Sequence, residues 1–192
     1  MTTKDLIQEL SSKTAQSLEF VTQHFKRLSS NQRNWKKDAN SWSINETFAH
    51  LNAFATYYHA TFLYKFEITK FKQPSDDFIS SPLGRSAWKS MKLGNAKNIK
   101  RKFNAIRTMN PRFNEELAIE SSVEDFEKNI FQMTEIIERA ATVNLRKVKI
   151  PISFSKIVRL RLGDALLYVV YHNERHIQQA LNQVNHPQFP EA

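Results

Sequence analysis

Three glycines in 192 residues leave this chain few places where the backbone can turn cheaply through left-handed conformations. A fold of many short strands needs such places, and so does a glycine-rich loop that cradles phosphate. Both are excluded as organising features, and a helical chain is what remains. A hydrophobic fraction of 41%, with 14 Phe, 5 Tyr and 3 Trp, supplies enough apolar surface for one packed core at this length.

Apolar residues recur at helical spacing in four stretches. Ile7, Leu10, Leu18, Val21, Phe25 and Leu28 predict a first helix from about 3 to 28, broken at Ser29-Ser30-Asn31. Ser43-Ile44-Asn45-Glu46 reads as a capping box and predicts a second helix through His50 to about Phe71, closed by Pro74. A second such box, Ser121-Ser122-Val123-Glu124, opens a third, lined by Val123, Phe126, Ile130, Met133, Ile137 and Ala140. The fourth begins near Gly163-Asp164 and runs to about Val184, before Pro187 and Pro190. Residues 73–120 form a long connection with a short helix expected from about Asn95 to Met109, and residues 142–160, with Pro151, an extended crossover. We therefore expect an all-α fold: residues 1–192 as a single domain, a four-helix bundle with long crossover connections and a basic insert at about 73–120.

The chain has no cysteine, so disulfides, thiolate metal sites and a cysteine nucleophile are excluded, and any metal must use nitrogen or oxygen ligands. Residues 1–10 lack an apolar signal core and no window is apolar enough for a membrane span, so we expect a cytoplasmic protein. The net charge of +9 resides in one segment. Arg85, Lys89, Lys92, Lys97, Lys100, Arg101, Lys102, Arg107 and Arg112 fall in a stretch without Asp or Glu, and outside them basic and acidic residues balance.

Histidine placement carries the chemistry. His172 and His176 stand four residues apart, about 40° round a helix and one turn above each other. That spacing suits two imidazoles on one ion, and equally two core histidines or a pair on a solvated edge. Leu166, Leu167, Val169 and Val170 precede the pair and point to a buried helix. His50 continues a face through Phe54, Tyr57 and Tyr64. His59 lies on the opposite side of that helix, His24 has no partner at ligand spacing, and His186 belongs to a proline-rich tail. Only three of the six are arranged for a common site.

Trp42-Ser43-Ile44-Asn45-Glu46 followed by His50-Leu51, and Gly163-Asp164 leading into His172-x-x-x-His176-x-x-Gln179, resemble the DinB/YfiT-like superfamily. The resemblance implies a four-helix bundle with metal ligands at His50, His172 and His176. It also implies thiol-dependent transfer or isomerisation with low-molecular-weight thiols as cosubstrates, and its bundles often pair through helices, which leaves a homodimer open. The basic insert and the 142–160 crossover depart from the pattern.

Three imidazoles without a carboxylate leave a coordination position open. An ion there, zinc or nickel by the donor set, can activate water or a thiol for hydrolysis or transfer on a small-molecule substrate. Tyr168, Gln179, Arg175 and Glu46 are candidates to orient the imidazoles or a substrate. Glu46 serves the helix end first, and Arg175 reaches an anionic substrate or solvent. A metal-binding bundle without catalysis is the alternative. Nucleic-acid binding through the basic 85–112 segment, with Trp88, Phe103 and Phe113 for stacking, is the weaker one.

Overall fold

The computed structural model describes residues 1–95, 98–99, 103–117 and 120–191. Among them are six α-helices and one two-stranded sheet, in keeping with the helical class read from the sequence. Helix α1 (Thr3–His24) is capped by Thr2, whose side chain accepts from the Asp5 N–H. The expected break after it is brief: Ser29 caps a short helix, α2 (Ser30–Asn34). Helix α3 (Ile44–Ile68) carries the capping box at Ser43, with both halves formed.

The 73–120 connection departs from expectation. Helix α4 (Pro82–Met91) lies here, opened by Ser81 with Pro82 in its first turn. The Ser81 N–H and Oγ–H both donate to Asp164 Oδ2 at 3.0 Å, which pins α4 to the last helix. Gly84 is required at that contact, because a Cβ there would sit 2.1 Å from the Asp164 carboxyl carbon. The short helix expected over Asn95 to Met109 is not found where the structure describes it. Residues 103–106 have no regular structure and Arg107–Met109 makes one 3-10 turn, while 96–97 and 100–102 lie outside the described residues. Pro111 forbids continuation, and the Met109 carbonyl serves a side chain of α3.

Helix α5 (Ser122–Ala140) starts where predicted but without its capping box. Ser121 makes no cap bond and donates to Asp125 Oδ2 at 2.9 Å, while Glu124 pairs with Arg33 at 2.8 Å. The crossover is a hairpin of β1 (Lys149–Ile152) and antiparallel β2 (Ser155–Arg161), whose Ile150, Ile152 and Leu160 are buried. It leads directly into α6 (Leu162–Val184).

Helices α1, α3, α5 and α6 form a ring in which α3 packs on α5 and α6, and α1 packs on the same two; α4 covers α6. The interior divides into two apolar clusters. Phe48, Leu51, Ile177 and Ala180 belong to one, and Phe54, Tyr58, Val169, Val170 and Tyr171 to the other. Along α3 the change falls between Leu51 and Phe54, and along α6 between Tyr171 and Ile177. His172 and His176 lie within the second of these intervals, and His50 stands immediately before Leu51 at the edge of the first.

Candidate metal centre

His50 sits in the second turn of α3, a helix whose start is held by reciprocal bonds. Glu46 accepts from the Ser43 N–H at 2.7 Å, and Ser43 Oγ accepts from the Glu46 N–H at 3.1 Å. The second Glu46 oxygen meets Lys36 at 2.6 Å, so this carboxylate is spent at the helix end, as expected. His172 and His176 project from successive turns of α6, and the contact between α3 and α6 closes the 122-residue separation between His50 and His172. Their Nε2 atoms stand 3.3 Å apart. Ring centroids lie 5.1 Å apart for His50–His172, 4.8 Å for His50–His176 and 4.5 Å for His172–His176.

One nitrogen from each ring lies within 4.8 Å of the others, in a buried group able to hold a metal ion. Two nitrogens bound tetrahedrally at about 2.1 Å from one ion stand roughly 3.4 Å apart, so the 3.3 Å separation fits shared coordination. His176 keeps part of its surface at the edge of the group.

The tautomers follow from the outer nitrogens. His50 Nδ1–H donates to the Met109 carbonyl at 2.6 Å, which leaves Nε2 with its lone pair facing inward. His176 Nδ1–H donates to Gln179 Oε1 at 3.1 Å with the same result. His172 Nδ1 is buried without a hydrogen-bond partner among the described residues. A shared cation would engage a nitrogen from each of the three rings.

Burial is the main cause that pulls all three imidazoles below the ordinary histidine range, furthest for His172 and His176. At His172 the neighbouring His176 and His50 add to it, then Arg175; at His176 His50 and Arg175 do so. The Met109 carbonyl opposes the shift at His50, and Gln179 opposes it at His176. The rings are therefore neutral near pH 7, the form that ligates a cation.

Aromatic packing fixes the rings. Phe54 stacks on His172 with centroids 3.9 Å apart. Trp42 stacks on His176 at 6.0 Å and lies 5.0 Å from His50, and its carbonyl accepts from the Gln183 amide of α6. Tyr168 approaches His172 at 6.3 Å and packs on Phe54. Arg175 is 5% exposed, which removes the solvent-facing alternative; its guanidinium lies over the Phe103 ring at 5.5 Å. Sequence reasoning assigned no role to Trp42 or the Met109 carbonyl. Trp42 lay inside the motif already quoted, whereas a carbonyl leaves no side-chain signal.

The other histidines stay apart. His59 bonds Gln132 of α5 at 2.8 Å, His24 stacks on Phe20, and His186 packs against Trp35 rather than lying free in the tail. In the basic segment, Trp88 donates to Ser80 Oγ and packs on Tyr171, with Lys92 over both rings. Phe103 and Phe113 are exposed, and Lys97, Lys100, Arg101 and Lys102 lie outside the described residues.

A family model of the DinB superfamily matches residues 14–180. The chain belongs to the DinB superfamily. That match runs from the second half of α1 through most of α6 and includes all three histidines. No curated protein and no solved structure matches the chain. Among the described residues of this DinB-superfamily member, no helix is long and apolar enough to cross a membrane.

Proposed function

We propose that His50, His172 and His176 hold one divalent ion, zinc or nickel, and that the protein is a metal-dependent transferase or hydrolase acting on a small molecule. The observation that carries this reading is the convergence of three buried imidazoles, with the His50 and His172 Nε2 atoms 3.3 Å apart and the outer nitrogens of His50 and His176 engaged elsewhere. Three uncharged ligands leave the charge of a bound ion undiminished and a coordination position open, an arrangement that acidifies water or a thiol to near neutral pH.

The protein's own residues supply orientation and exclusion of water. Met109 and Gln179 set the tautomers of His50 and His176, and Phe54 holds the plane of His172. Arg175, buried beside the pair, offers a positive charge to an anionic substrate, which suits a carboxylate-bearing low-molecular-weight thiol. With no cysteine of its own, the chain would have to take that thiol from solution. The reading in which an ion only ties α3 to α6 draws on the burial of the group between the two apolar clusters.

Metal content and turnover separate these. The purified protein is expected to retain close to one divalent ion per chain after dialysis, and the His50→Ala/His172→Ala/His176→Ala variant none. A low-molecular-weight thiol with an electrophile should then turn over in the loaded protein and stop on chelation. Loaded protein no faster than His172→Ala, tested across thiol and hydrolytic substrates, would favour the non-catalytic reading. Wild type without metal would end both.

A further inference from the structure

A second concave site lies away from the histidines, where the end of the α3 connection, the α5–β1 turn and the start of α6 meet. Ser75, Asn144, Arg146, Lys147 and Arg161 line a cleft of about 400 Å³, within the range of small-molecule sites. Three of the five are cations and none is acidic. Asp76 and Asp77, next along the chain, are exposed and do not line it.

The walls are built. Asn144 Oδ1 accepts from the Arg146 and Lys147 N–H groups at 3.1 and 3.0 Å, and its own N–H donates to the Phe71 carbonyl at 3.0 Å. The turn is tied to α6 by Leu162 N–H to the Val148 carbonyl at 3.0 Å and Gly163 N–H to the Leu145 carbonyl at 3.2 Å. On the other wall the Ser75 carbonyl accepts from Thr3 Oγ1.

The cations are held by uncharged partners. Lys147 Nζ lies 5.7 Å from the Phe71 ring centroid, and Arg161 Nη1 donates to the Ile79 carbonyl. Arg161 Nε is buried without a hydrogen-bond partner among the described residues. None of the ion pairs among those residues involves Arg146, Lys147 or Arg161. Three positive charges thus converge on one cavity without a carboxylate to neutralise them.

We infer that this cleft binds a small phosphate-bearing metabolite. Two guanidinium groups and an ammonium match the charge and several oxygens of a phosphate or diphosphate better than a lone carboxylate. The cleft volume leaves room for an organic portion beyond the phosphate.

The probe is pyrophosphate, titrated calorimetrically into the full chain at low and moderate salt. Saturable binding is expected, weakened at least about tenfold in Arg146→Gln/Lys147→Gln. Lys26→Gln/Arg27→Gln, which removes the same charge from the end of α1, should stay within about twofold of wild type. Neither cleft residue is in an ion pair, so the thermal midpoint should not move. His172→Ala should bind pyrophosphate as wild type does. Absence of saturable binding, equal weakening in both double variants, or loss in His172→Ala would overturn the assignment. So would a preference for phosphatidylglycerol vesicles over pyrophosphate, which would move the phosphate from a metabolite to a lipid headgroup.

Discussion

A carbonyl orients one imidazole, an amide side chain the second, and the face of a phenyl ring the third. Of these supports only Gln179 can be removed without disturbing the backbone or the core, since it is part-exposed and bonds His176 from the next turn. Loss of an outer partner of a ligating histidine typically weakens metal affinity by about 10- to 100-fold. Gln179→Ala is expected to fall in that range in competition with a chromophoric chelator, and Gln179→Glu, which keeps the acceptor, to recover most of the loss. Affinity unchanged in the alanine variant would mean that the Nδ1 bond does not position the ring.

Helix starts show how a local motif is honoured or overruled. At Ser43 both bonds of the capping box form in a buried setting, and Ser43→Ala should cost about 1 kcal/mol in chemical denaturation. The same motif at Ser121 forms neither. That residue has φ −77° and ψ 6° instead of an extended backbone, and Glu124 is drawn to Arg33. Ser121→Ala should therefore leave the denaturation midpoint nearly unchanged, and equal losses at the two positions would contradict this account. Arg33 is itself buried, so its ion pair with Glu124, and not the helix end, decides where that carboxylate goes.

Across the whole molecule, buried histidines tie stability to pH. His50, His59, His172 and His176 all hold protons less readily in the fold than at the ordinary value of 6.5, with desolvation the largest cause. The unfolded chain therefore takes up protons first as pH falls. Metal-free protein is most stable above pH 6.5 and loses stability below it, by up to about 1.4 kcal/mol per pH unit for each such proton. Carboxylates held below their usual range, Asp125 among them, act only at lower pH, so the interval from 6.5 to about 5 reports on histidine. Thermal midpoints of chelated protein should fall through that interval, less steeply in His172→Ala. A flat profile would show that the imidazoles are not held neutral.

The helical class, the four long helices and the face shared by His172 and His176 were legible in the sequence, because they rest on residue type and on spacings of three and four. Helix α4 was not, since its Gly84 makes sense only against Asp164, eighty positions away. Neither was the Met109 carbonyl, 59 positions from the ring it orients, nor the burial of Arg175. Local pattern determined which side chains could face inward. Only the packing of α3 against α6 brought two Nε2 atoms 122 residues apart to 3.3 Å, because chain separation limits distance from above and contact alone sets it.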